Sequence, residues 1–145
     1  MRVVMRALLI SIAFLTLSNS ASAKVVTEVF CFSTKAPKLI KFEMRTYYDT
    51  DTKWMGGAIK YEKSRNYISI LQTGDNSDSA GQNNAASTTR TWAEVVGKKV
   101  TGEYEMISQG ASVQSMKYTN IETKREFSFI FDATVESSLQ SGCEW

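Results

Sequence analysis

Polar and apolar residues alternate along most of this chain with the period of a β-strand. Across residues 38–48, Ile40, Phe42, Met44 and Tyr48 fall on one face, and Lys41, Glu43 and Arg45 on the other. Residues 125–132 repeat the pattern, with Phe127, Phe129 and Phe131 opposite Glu126 and Ser128. Residues 66–72 do so with Ile68 and Ile70, and 100–108 and 111–119 are further candidates. Residues 25–32 are rich in β-branched and aromatic side chains. Half-buried antiparallel strands carry this signature.

Turn-forming residues separate the runs: Asp49-Thr50-Asp51, Lys63-Ser64-Arg65, Gln109-Gly110 and 120–124. Short spacing between strands predicts a meander of about seven or eight, closed into a small antiparallel barrel or folded into a sandwich. Gly56-Gly57, inside a run, marks a bulge or a barrel bend. Little helix is expected. The best candidate is 133–140, with Asp132 as N-cap and Gly142 beyond its end, and the same stretch also fits a loop. Residues 73–91 are polar and lack any large apolar side chain, so they are expected to form a flexible loop. Within that loop Asp75, Asn76 and Asp78 suggest calcium, but the glycine and glutamate positions of an EF-hand are not filled.

The N-terminus reads as an address. Arg2 and Arg6 precede the apolar run 7–17, which leads to Ser18, Asn19, Ser20 and the small triplet Ala21-Ser22-Ala23. The run, about eleven residues, is short of the roughly 20 that a membrane span needs. A signal peptide at 1–23 and a single domain at 24–145 are therefore expected, with export to the bacterial periplasm or medium. No cysteine stands at the cleavage point to carry a lipid anchor.

Export changes the charge reading. The chain has 17 Lys+Arg and 15 Asp+Glu, and residues 1–23 hold two of the bases and no acid. The remainder is balanced at 15 against 15, since 17 − 2 = 15. A neutral domain argues against nucleic acid as a partner and weakens the case for adhesion to anionic lipid. Cys31 and Cys143 are the only cysteines, and in an oxidising compartment they are expected to pair. A metal site is disfavoured by their wide spacing and by the absence of histidine.

Chemistry follows by elimination. Without histidine, imidazole catalysis is excluded, and with both cysteines expected to pair a thiol nucleophile is disfavoured. No nucleophile elbow or phosphate loop is present. Carboxylates remain: Asp49 and Asp51 in a turn, Glu103 and Glu105 on one strand face. A glycosidase could use such a pair, but solvated charges account for them more simply. No catalytic residue and no cofactor are assigned.

The aromatic residues carry the other signal. Tyr47 and Tyr48 are adjacent, so on a strand they face opposite ways and one points outward. With Trp54 and Trp92 they form the candidate binding set, because exposed Tyr and Trp dominate protein interfaces. The core is expected to include Phe30, Ile40, Phe42, Ile68, Ile70, Tyr104, Phe127, Phe129 and Phe131.

The frame, an exported small β domain with one cysteine soon after maturation and another near the C-terminus, resembles that of the periplasmic inhibitors of lysozyme. Their Ser-Gly-x-x-Tyr signature is not matched. Ser141-Gly142-Cys143-Glu144-Trp145 ends in Trp, and Thr101-Gly102-Glu103-Tyr104 is one residue short. No residue is carried over. Three functions stay open: a binder that blocks another protein, such as an inhibitor or an immunity protein against a cell-wall-directed enzyme; a carrier with an apolar ligand in a barrel cavity; and a hydrolase using Glu103 or Asp49. A packed interior favours the binder and a cavity of several hundred Å³ the carrier, on the order of known ligand pockets.

Overall fold

The alternating runs pair with one another in chain order. In a computed structural model that describes residues 24–35, 37–78 and 86–145, the strands are β1 (Val25–Ser33), β2 (Lys41–Asp49), β3 (Met55–Tyr61), β4 (Ile68–Asp78), β5 (Ser87–Val96), β6 (Lys99–Gln109), β7 (Ser112–Asn120) and β8 (Glu126–Phe131). Each is antiparallel to the next, and β8 returns to β1 through Phe32–Phe131 and Ser33–Ile130. The eight strands thus make a closed barrel rather than a sandwich, and closure leaves no long sheet edge around most of the wall. The expected export signal and its cleavage point lie outside the described residues.

Tight turns follow the sequence. Gly97 and Lys98 both have positive φ, 56° and 67°, between Val96 and Lys99, which pair. Two such residues give the hairpin turn whose twist matches the flanking strands, and glycine adopts it without steric cost.

Inside the barrel, Phe32, Phe42, Met44, Ile59, Ile70, Trp92, Tyr104, Met106, Met116 and Phe129 are buried as one cluster. Phe42 is its hub, with ring centroids 5.2 Å from Phe32, 4.8 Å from Phe129 and 6.0 Å from Tyr104. Of the expected core, Phe30, Ile40, Ile68 and Phe131 are partly buried against this cluster. Phe127 is a correction. It shares the inner face with Phe129 but lies at the rim, where β8 begins, and remains 39% exposed.

Two local expectations are overturned and a third is narrowed. Residues 133–140 are not a helix: they enter β9 (Glu136–Ser138), which pairs with β10 (Gly142–Glu144) on the outside of the barrel. Asp132 caps a turn instead of a helix, accepting hydrogen bonds from the amide and hydroxyl of Thr134 (3.1 and 2.6 Å). The residues that follow, Val135, Ser137 and Ser138, are weak helix formers. Residues 73–91 are not a loop throughout, because β4 runs to Asp78 and β5 starts at Ser87, with Asp75 opposite Arg90 and Ser77 opposite Thr88. Backbone pairing, together with the threonines of β5, holds this polar ladder. The connection 79–85 lies outside the described residues. Gly56 and Gly57 pair in regular register with Tyr47 and Thr46. They are needed for room, not for a bulge: a Cβ at Gly56 would collide with the Trp54 ring, and one at Gly57 with the Arg45 carbonyl.

Candidate functional site

Strand alternation puts Glu43, Arg45 and Tyr47 of β2 on the outer wall, beside Lys60, Ala58 and Gly56 of β3. Leu71 of β4 pairs with Gly56, which completes a row Tyr47–Gly56–Leu71 across three strands. Trp54 lays its six-membered ring over the bare backbone of Gly56 and leaves 54% of its surface exposed. Leu71 is 41% exposed beside it.

The turn that carries Trp54 is held at several points. The Asp49 amide donates to the Trp54 carbonyl and the Lys53 amide to the Asp49 carbonyl, both at 2.9 Å. The Asp49 carboxylate accepts from the amides of Asp51 and Thr52, which lowers its pKa below the ordinary value, the Asp51 bond acting most strongly. Asp49 is therefore a turn cap, the opposite of the raised carboxyl that general acid catalysis requires. Glu105 is on the outer wall, in an ion pair with Lys117.

Of the four candidate binding residues, Tyr47 is half-buried on the outer wall next to Trp54. Tyr48 faces the other way, towards the barrel lumen near the rim, opposite Val26 and Met55. Trp92 is a correction. It has no exposed surface and fills the core, so it cannot touch a partner. β5 turns Trp92 and Glu94 inward together.

Residue patterning missed a second group. The Glu43 carboxylate is buried on the outer wall under the β9–β10 hairpin. It accepts from Tyr67 Oη (2.7 Å), Arg45 Nε (2.9 Å) and the Cys143 amide (3.1 Å). Burial acts to raise the Glu43 pKa, but the bonds from Tyr67, Cys143 and Arg45 together outweigh it and leave the group below its ordinary value. Arg45 also donates to the Leu139 carbonyl (3.0 Å), and its guanidinium lies 5.5 Å from the centre of the Tyr67 ring. Cys31 is opposite Glu43 across the β1–β2 ladder, and its disulfide to Cys143 brings the hairpin onto that carboxylate. The pairing of Cys31 with Glu43 was the available clue. The outward side of Tyr67, Ser69 and Leu71 was equally readable from the inward side of Ile68 and Ile70.

The other buried carboxylate, Glu94, is inside the barrel. It accepts from Thr101 Oγ1 (2.7 Å), Tyr104 Oη (2.9 Å) and Tyr118 Oη (3.1 Å), and Tyr61 bonds Tyr104 in turn (3.1 Å). Gly102 makes room for this: a Cβ there would collide with the Tyr118 ring. Burial first, and then the Glu94 charge, push the Tyr118 phenol up to about 12. A phenol whose pKa rises on folding stabilises the fold below the unfolded value of 10.0 and loses that contribution as pH climbs towards 12. An absorbance titration should show a tyrosine step near pH 12 that Tyr118→Phe removes. Loss of a step near the ordinary value of 10.0 instead would mean that this phenol is free in solution. The network binds side chains of one rim together and offers no open position to a substrate.

Compared with family models, curated proteins and solved structures, the chain matches none.

Proposed function

We propose that this is an exported periplasmic protein that works by binding another protein, as an inhibitor or immunity protein against a cell-wall-directed enzyme would. The binding face is the outer wall of β2, β3 and β4. One observation carries the reading: Trp54 is a half-exposed aromatic plate fixed on Gly56 by a hydrogen-bonded turn. A rigid, amphipathic ring of this kind presents large contact area at little entropic cost. Tyr47 and Leu71 extend the plate, and Arg45 and Tyr67 give it a polar margin. Residues 73–78 of β4 flank it. Among the described residues no strand pairs with them on the β3 side, so an extended segment of a partner could add there. The filled interior supports a binder over a carrier, because aromatic rings occupy the space that a ligand would need.

Pull-down from periplasmic extract tests this. Trp54→Ala should cost about 2 kcal/mol or more of binding and Tyr47→Ala less, while both variants keep the wild-type circular dichroism spectrum. A partner retained equally by both variants would refute the assignment of this face. A co-purifying lipid with no protein partner would replace the binder with the carrier.

A further inference from the structure

The balanced charge of residues 24–145 hides a strong separation. The connections β1–β2, β3–β4, β5–β6 and β7–β8 all lie at one end of the barrel, as a meander requires. They and the first residue of β6 carry Lys35, Lys38, Lys63, Arg65, Lys98, Lys99, Lys124 and Arg125 against Glu62 and Glu122. That is 8 − 2 = +6 at one end of a domain whose total is zero. All eight bases are exposed, and among the described residues none is ion-paired.

Aliphatic side chains are exposed among these charges. Leu39 is 62% exposed and Val100 54%, with Val96 and Ile121 also outside the core. The loops adjoin: Val100 and Lys99 share a shallow cleft with Ile121, and Leu39 and Lys38 share another with Lys63. The Ile121 amide bonds the Thr101 carbonyl (3.0 Å). The β2–β3 turn, with Trp54, is at the opposite end.

We infer that this basic end docks the protein reversibly on an anionic phospholipid surface, with Leu39, Val100 and Ile121 entering the headgroup layer. Six of the eight bases are lysine, which is depleted in protein–protein interfaces, and no exposed Trp marks a hot spot among them. Hydrated point charges spread around a rim with short aliphatic tips suit a broad, fluid, negative surface. Nucleic acid would engage the lysines but gain nothing from the aliphatic tips. Docking this way leaves the Trp54 end facing away from the membrane. The inference is independent of the binding face proposed above.

Sedimentation of the purified protein with vesicles tests it. Binding is expected to phosphatidylglycerol–phosphatidylcholine vesicles, not to phosphatidylcholine alone, and should weaken as salt is raised. Each cation near an anionic surface contributes about fivefold, so Lys38→Glu/Lys63→Glu/Lys99→Glu, which removes three cations and adds three anions, should weaken binding by more than about a hundredfold. Leu39→Ser/Val100→Ser should weaken it at unchanged charge, whereas Trp54→Ala should bind vesicles like wild type. The N-terminal segment is the same in every variant, so differences belong to the barrel end. Equal binding to both vesicle types, wild-type binding by the charge-reversed variant, loss of binding in Trp54→Ala, or tighter binding to duplex DNA than to vesicles would each overturn the inference.

Discussion

Replacing Cys31 and Cys143 together by alanine is expected to lower the free energy of unfolding by about 4 to 5 kcal/mol on the loop-entropy scale. The two cysteines are 112 residues apart, with Cα atoms separated by 5.8 Å, so the bond constrains nearly the whole domain when it unfolds. It also holds β10 against the wall, where the Cys143 amide is a partner of the buried Glu43 carboxylate. Urea unfolding followed by tryptophan fluorescence measures the loss directly. A change below about 1 kcal/mol would mean that the hairpin stays in place by packing alone and that the cross-link adds little.

The second large effect lies on β8. Phe129→Ala should cost roughly 3 to 5 kcal/mol, because the ring is buried against Phe42 at 4.8 Å and its removal opens a cavity. Phe127→Ala, two residues away on the same face, should cost about 1 kcal/mol, since that ring stands at the rim and loses mainly its contact with Tyr118. The contrast tests the register of the whole strand, because a slip by one residue would turn both rings out of the lumen. Similar losses at both positions would contradict the rim placement of Phe127.

Strand alternation in β2 and β8 was legible because each side chain there obeys a single rule, inward or outward. The disulfide was legible from the cysteine count, read together with the expected export. What escaped depends on things that one strand's pattern does not contain. Glu43 reads as an outward charge and is one, but a hairpin about a hundred residues later covers it. Trp92 reads as a surface candidate by residue type, and only the closed barrel assigns its face to the interior. Residues 74–78 lack apolar side chains, and the backbone ladder with β5 orders them regardless. The charge on the basic end was invisible to a net count, since a sum over the domain discards position.

The barrel closes where it is thinnest. Every other neighbouring pair of wall strands is joined within a short stretch of chain, but β1 meets β8 only through Phe32–Phe131 and Ser33–Ile130, across almost the full sequence. Hairpins form locally and quickly, while a contact between distant residues must first overcome the entropy of a long loop. Folding is therefore expected to proceed as a curling sheet whose seam joins last. Cys31 precedes Phe32, so its bond to Cys143 acts beside that seam. Oxidation before folding would remove in advance much of the loop entropy that closing this seam costs. With two residue pairs holding β1 to β8, that seam is where the barrel is expected to part first under force or at high temperature.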